Sequence, residues 1–280
     1  MRVALTCIAR DEENYIEEWI DYHFKLGFDD IFIYQNNWRC NIEKNRIHKI
    51  VWDGSYDINN KEISIQVNAY NDFIQNYNKK YDWVAFLDVD EFLVLKKHSD
   101  VKLFINDYKD ENAIGINWIY FGDNGLSFNG EYSLLKRFTK RAKVADGAVK
   151  CILKMNKNTI YNVHSPVNCM TTDTHYNKFW GVHNSNKKID IAQINHYYCK
   201  TWNEWIKKKE RFMSIESMDG WYINNGYEDK DLHFHKNNIN EIEDTLALDF
   251  YLGKSKPINE SNLPSVYRKL KGGDIDLIKK

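Results

Sequence analysis

The stretch YDWVAFLDVDEFLVL, residues 81–95, constrains this chain more than any other. Trp83 to Leu87 is a continuous apolar run, of the length and kind that forms a strand covered on both faces. It runs straight into Asp88, Asp90 and Glu91, after which Phe92 to Leu95 turn apolar again. Unpaired buried charge is costly, so three carboxylates at the end of a buried strand require partners. In open parallel sheets the ligand crevice lies outside the carboxyl ends of the strands. Asp88 and Asp90 fall at such an end, two residues apart, so both side chains can lean the same way. Hard oxygen donors in that arrangement suit Mg²⁺ or Mn²⁺, completed by water and a diphosphate. The competing account is a capping or ion-paired cluster. The return to apolar residues at Phe92 holds the acidic triplet on a rigid loop.

D-x-D alone is a weak pattern, and the chain contains it three times, at Asp88/Asp90, Asp229/Asp231 and Asp274/Asp276. Only the first closes a strongly apolar strand. The second sits in a polar loop and the third in the tail, where solvated surface accounts for both.

Around this centre the hydrophobic pattern alternates between two periods. Arg2 to Ala9 predicts a first strand. A helix follows to about Leu26, with Asp11 as its N-cap, Ile16, Trp19, Ile20, His23 and Phe24 on one face, and Gly27 as its stop. Asp30 to Gln35 and Ile47 to Trp52 predict further strands. Ile63, Val67, Tyr70, Ile74 and Tyr77 mark a second helix, and Trp83 to Asp88 the fourth strand. Strands alternating with helices point to an α/β fold with a mostly parallel, Rossmann-like sheet. Beyond Asp100 the pattern is strand-rich: Ala113 to Phe121, Tyr132 to Thr139, Val149 to Met155 and Asp190 to Tyr197, with one clear helix at about Trp202 to Ser214. The expected organisation is one domain over residues 1–240, with residues 241–280 a C-terminal helical segment and tail.

The 280 residues suffice for a sizeable core. A formal net charge of −1 gives no field for gripping nucleic acid. Five scattered cysteines without a CxxC pair read as reduced thiols in a cytoplasmic protein. The N-terminal apolar run is too short for a signal peptide, and no segment approaches transmembrane length. Aromatics at 15% exceed what the periodic core pattern uses, a hint of stacking surfaces for rings such as sugars.

Four ordered segments add a resemblance: ARDEENYIEEWIDYHFKLGFDDIFIYQNN, WVAFLDVDEFLVL, NWIYFGDNG and INHYYCKTWNEWIKKKER. Together they span most of residues 1–210, and their order resembles GT-A-fold glycosyltransferases of the family 2-like and family 92 type. The resemblance implies an inverting, metal-dependent enzyme that moves a hexose from a nucleotide-diphosphate sugar, a UDP-sugar, to a glycan or lipid-linked glycan acceptor. Ala9, Arg10 and Glu12 would then lie along the base and ribose, with helix capping the alternative for Glu12. Asn36 would meet a uracil edge, although Gln35-Asn36-Asn37 stands where relatives carry an Asp-Asn pair. Gln66 is a further donor-site candidate, a solvent-facing helix position being its alternative.

The resemblance also implies that Asp88, Asp90 and His196 hold Mn²⁺ or Mg²⁺, with a structural strand-end histidine the alternative for His196, and that Lys150 offsets phosphate charge, against a solvated strand edge. His164 and His183 are loop residues, one of which would contact diphosphate, an ordinary structural role being the favoured alternative for each. In the NWIYFGDNG segment, Gly122 and Gly125 permit close backbone approach to a sugar. Trp118, after Asn117 and before Phe121, either stacks on the acceptor or fills the core. Asp123, Glu204 and Asp146 are the candidate bases for the acceptor hydroxyl, in that order. For Glu204 the alternative is a first-turn structural role, and for Asp146 a turn. The basic stretch Lys207 to Lys209, beside Trp202, Trp205 and Phe212, raises peripheral contact with an anionic membrane, against an ordinary solvated face. Two rival functions stand against this one. Metal-dependent nucleotidyl or phosphoryl transfer would favour a Gly-rich phosphate loop, which the chain lacks, and a non-catalytic carbohydrate-binding protein has no use for a buried Asp pair.

Overall fold

A computed structural model describes residues 1–53, 65–127, 132–213 and 230–254. Its centre is a parallel set: β1 (Val3–Ala9) lies between β2 (Asp30–Gln35) and β4 (Trp83–Phe86), and β3 (Ile47–Val51) extends β2. Period-2 alternation sends successive side chains to opposite faces. Ala4, Phe32, Tyr34, Val84 and Phe86 pack beneath Tyr70, Phe73 and Ile74 of α2 (Ile65–Tyr77). Val3, Leu5, Ile31, Ile33, Trp83 and Ala85 face α1 (Ile16–Lys25), α3 (Val101–Asp107) and β5 (Glu91–Leu95). Burial on both faces is why these strands read as continuous apolar runs.

The strand-rich part is built on β6 (Ala113–Tyr120). One edge of β6 pairs antiparallel with β8 (Val149–Lys154), which joins β4 and so completes the large sheet. The opposite edge is shared. Its first half takes β9 (Thr171–Asp173), itself paired with β10 (Lys178–Phe179), and its second half takes β11 (Ala192–His196). β5 then lies antiparallel on β11. A short ribbon joins β7 (Lys140–Arg141) to β12 (Ile242–Glu243). Three helical pieces follow β11 in the chain: α5 (Trp202–Met213), α6 (Lys230–Asn237) and α7 (Leu246–Tyr251). α7 lies on the same body, because the Lys25 ammonium donates to the Tyr251 carbonyl at 3.0 Å and Phe250 packs edge-on against Tyr22 at 5.3 Å.

Several local expectations need correction. Asp11 is not the N-cap of α1. It sits at φ 54°, and the helix begins five residues later, where the Glu12 carbonyl accepts from the Tyr15 and Ile16 amides. Tyr132 to Thr139 is not a strand: Leu134–Arg137 forms a single helical turn, α4, capped by Ser133. The Glu18 carboxylate of α1 also accepts from the Leu134 amide at 2.7 Å, a tertiary cap that the Leu-rich run does not reveal. Beyond Asp100 there is more helix than one element, since α3 is capped by Asp100 and α6 follows α5. Ile63, Ser214 and the acidic pairs' residues Asp229, Asp274 and Asp276 lie outside the described residues, as does most of the tail.

Gly27 ends α1 as the pattern predicts, at φ 102°, and a Cβ there would stand 2.0 Å from Asp100 Oδ2. Asp100 is the residue whose side chain caps α3, accepting from the Lys102 amide at 2.6 Å. Gly27→Ala therefore combines positive-φ strain with loss of that cap, and lowers stability by about 2–3 kcal/mol. A urea-unfolding midpoint unchanged from wild type would refute this coupling of the two helices.

Candidate active site

β4 stops at Phe86 and β5 starts at Glu91, so the carboxylates occupy a tight connection between two buried strands. The connection is clamped from within. The Glu91 amide donates to the Asp88 carbonyl at 3.0 Å, and the Asp88 amide donates to Glu91 Oε2 at 2.9 Å. Two neighbouring strand ends converge on it: the Tyr197 amide donates to the Asp90 carbonyl, and the Phe121 amide to the His196 carbonyl. The turn after β4, the end of β6 and the end of β11 are thus tied together by backbone alone.

The partners of the three carboxylates are lysines. Lys150 of β8 has a fully buried side chain, and its ammonium donates to Asp88 Oδ2 at 3.0 Å and to the Val163 carbonyl at 3.1 Å, with Glu91 Oε2 at 3.5 Å. Burial disfavours its charge, but Asp88 and Glu91 outweigh burial and hold the ammonium charged. Glu91 is itself completely buried, and burial pushes its carboxyl up despite Lys150. The other Asp88 oxygen accepts from Gln66 Nε2 at 2.7 Å and from the Tyr70 hydroxyl at 3.3 Å. Asp90 is paired separately. Lys208 of α5 donates to its Oδ2 at 2.9 Å, while His196 Nε2 faces its Oδ1 at 3.7 Å. Burial opposes ionisation of Asp90, but Lys208 and Lys200 hold the carboxyl well below the ordinary range.

His196 is buried, and burial pushes its imidazole down to about 3 against the pull of Asp90, so the ring is neutral at physiological pH. Trp118 walls the same space, 4.4 Å from the His196 ring and 5.0 Å from that of His164, with Tyr120 stacked on the other side of His196. Burial also pushes His164 down, to about 4. Trp118 Nε1, His164 Nδ1 and His196 Nδ1 are buried and have no hydrogen-bond partner among the described residues. Trp118 is core in packing, with the His164 and His196 rings and the Lys150 ammonium against it.

The structure brings together Gln66, Asp88, Asp90, Lys150, His196 and Trp118. Ala9 and Asn36 lie side by side where β1 and β2 end, with the Asn36 amide donating to the Ala9 carbonyl and Asn36 Nδ2 to the Trp52 carbonyl. Arg10, beside Asp11 at 3.7 Å, and Glu12 follow on the exit from β1.

Three expectations change. Glu204 is no free base: Arg137 forks onto both its oxygens at 2.9 and 2.6 Å, the Tyr15 hydroxyl donates to one, and the Thr201 amide and hydroxyl to the other. With Thr201 it forms a capping box at the start of α5. Asp146 accepts from the Ala148 amide at 2.7 Å, turning the chain into β8. At Gly122, the group that approaches the missing Cβ is the Asn240 side chain, at 2.4 Å from where the Cβ would stand. Asp123 is held beside it, accepting from Asn238 at 2.8 Å and from the Gly125 amide at 2.8 Å. His183, an exposed loop residue, forms an isolated β-bridge with Ala148. The basic stretch also reads differently. Lys208 points inward to Asp90, Trp205 is buried against Phe234, and only Lys207 faces solvent among its described side chains. Lys209 and Phe212 lie outside the described side chains.

Lys208 is the site residue that sequence reasoning missed, because nothing in IKKKER distinguishes it from its neighbours. The Glu204 network carries a prediction of its own. Burial opposes its ionisation, but Arg137, Thr201 and Tyr15 together depress the carboxyl from an ordinary 4.5 to about 2. A depressed folded-state value means stability present above about pH 4.5 and lost as pH falls toward 2, amounting to about 3 kcal/mol. Glu204→Gln should remove most of that acid-side slope in a series of melts between pH 6 and pH 3. An unchanged slope would assign the acid loss to other carboxylates.

A family model described as "Glycosyltransferase family 92" matches residues 3–246. This chain belongs to glycosyltransferase family 92. The α/β arrangement described above is the GT-A type of fold that the resemblance implies. Among curated family 92 proteins, one from Ricinus communis is 23% identical over 227 residues, covering 78% of this chain and 39% of its own length. Another, from Arabidopsis thaliana, is 22% identical over 238 residues, with 79% and 39% covered. The chain therefore spans about two-fifths of the length of the curated relatives it matches. Among solved structures, S. aureus TarS 1–349 shares 13% identity at a TM-score of 0.32, over 55% of this chain and 47% of that one. The mannosyltransferase Ktr4p from S. cerevisiae shares 15% at a TM-score of 0.28, over 42% and 40%. No helix among the described residues is long and apolar enough to cross a membrane, and all five cysteines are free thiols.

Proposed function

We propose that this family 92 chain transfers a hexose from a UDP-sugar to a hydroxyl of a glycan or lipid-linked glycan, with inversion at the anomeric carbon. The observation that carries the reading is the acidic turn at the carboxyl ends of β1 and β4, where Asp88 and Asp90 meet a buried ammonium and a neutral imidazole. Nucleotides in such sheets bind outside these strand ends. Ala9, Arg10, Glu12 and Asn36 offer the surface for base and ribose, and Gln66 and Lys150 fix the orientation of Asp88. Trp118 and the unpartnered ring nitrogens beside it suit a sugar, which presents both an apolar face and hydroxyls.

Mn²⁺ or Mg²⁺ fits this donor set. Neutral imidazole and carboxylate oxygen are ligands of the right kind, and the 3.7 Å between His196 Nε2 and Asp90 Oδ1 is too long for a good hydrogen bond. Among the described residues no three ligating side chains are grouped to hold a metal ion, so Asp88, Asp90 and His196 do not form the expected three-ligand set, and a bound cation would need water and substrate phosphates to complete its coordination. When bound, the cation supplies Lewis-acid stabilisation of the departing diphosphate. In the transfer the acceptor oxygen forms a bond to the anomeric carbon, the bond from that carbon to the phosphate oxygen breaks, and UDP leaves with the electron pair. Asp123 is the remaining candidate to take the acceptor proton: Glu204 is committed to Arg137 and Asp146 to its turn, and Asp123 would have to give up one of the bonds it accepts from Asn238, Asn240 and the Gly125 amide. The scattered free thiols suit a cytoplasmic location.

The test is a panel of UDP-hexoses offered with glycan acceptors, followed by the anomeric configuration of the product by NMR. An inverted linkage from a UDP-sugar is the expected result. A retained configuration would remove Asp123 from its role as base, and turnover only with a non-uridine donor would overturn the choice of nucleotide.

A further inference from the structure

We propose that Lys208 is a built-in competitor for the cation position at Asp90, so that a divalent metal enters the donor site only by displacing its ammonium. The inference rests on the donor-site reading above and concerns how that site is regulated.

The two lysines of the acidic turn are not equivalent. Lys150 is sealed: its side chain is fully buried, it belongs to a strand inside the sheet, and it joins Asp88 to Glu91 and the Val163 carbonyl. Asp88 is held by it through one oxygen, and its other oxygen accepts from Gln66 and Tyr70. Asp90 has room. One of its oxygens faces His196 without a close contact, and the other carries only Lys208 among the described partners. That lysine comes from a helix at the edge of the fold and keeps 14% of its side chain exposed. Its ammonium lies 4.2 Å from the Tyr198 ring centroid and 3.3 Å from the Tyr198 carbonyl.

α5 does not depend on Lys208 for its position. Its start is fixed by the Thr201–Glu204 capping box and by Arg137, and its next turn by Trp205 against Phe234. Lys208 lies one turn beyond Glu204, so its long stem can swing from Asp90 while the helix stays anchored. A divalent ion held by Asp90 and His196 would share the carboxylate with an ammonium now 2.9 Å from it. Two cations compete for one carboxylate, and the weaker ligand-holder withdraws.

The test is Mn²⁺ titrated into the full chain at saturating UDP, with free Mn²⁺ followed by electron paramagnetic resonance. Lys208→Met, which keeps the stem and removes the charge, should bind Mn²⁺ at least about tenfold tighter than wild type. Lys208→Arg should stay within about threefold of wild type, because it restores the cation. Lys208→Gln repeats the measurement with a polar head should the Met variant fold poorly. Equal affinity in wild type and the neutral variants would overturn the competition while leaving the cation site in place. If UDP binds but no variant holds Mn²⁺, the cation reading of the donor site itself falls, and the competition with it.

Discussion

Asp90→Asn should abolish transfer, lowering kcat by about a thousandfold or more, with the fold intact. The substitution keeps the size of the side chain and its ability to accept from Lys208, but removes the charge that faces His196 across 3.7 Å. Because the Asp90 backbone carbonyl, not its side chain, ties the turn to Tyr197, the convergence of strand ends survives. Circular dichroism should therefore stay close to wild type while turnover disappears, with some loss of melting temperature because the charge that pairs with Lys208 is gone. Activity that survives and still requires metal would place the cation elsewhere.

Lys150→Met should show the opposite pattern, with its main effect on stability. The substitution leaves Asp88 and Glu91 facing one another without the ammonium, and Glu91 cannot reach solvent. Removing one partner of a buried ion pair costs about 3–5 kcal/mol, because the remaining charge is uncompensated. Urea denaturation would show that loss directly. The double variant Lys150→Met with Glu91→Gln should recover part of it, since one of the stranded carboxyls is then neutral. A single variant as stable as wild type would mean that Glu91 carries no charge in the fold and that Asp88 is neutralised by solvent.

How much of this was legible in the sequence follows from the range over which each signal acts. β1, β2 and β4 were readable because burial on both faces writes itself into consecutive residues, and their observed limits lie within one or two residues of the expected ones. The acidic turn was readable for the same reason: DVDE interrupts an apolar run. His196 and Lys150 were singled out through the family resemblance, and the structure puts both beside the carboxylates. What answers the acidic turn was not readable. Lys208 is 118 residues from Asp90, and Arg137 is 67 from Glu204, so both pairings depend on how α4 and α5 dock. The same limit explains α4 itself, where a Leu-rich run suggests a strand until Glu18 supplies a cap from α1. At Gly122 the space offered by the missing side chain was legible, but its occupant, Asn240, was not.

The claim on which the account stands is that the acidic turn is a nucleoside-diphosphate site completed by a cation. Calorimetric titration of UDP into the full chain, with and without Mn²⁺ and with GDP and CMP as controls, tests it most directly. The account predicts that UDP binds in preference to both controls and that Mn²⁺ strengthens its binding by about tenfold or more. Binding of no nucleotide, with or without the metal, would contradict it and leave Asp88, Asp90 and Glu91 as a lysine-neutralised structural cluster.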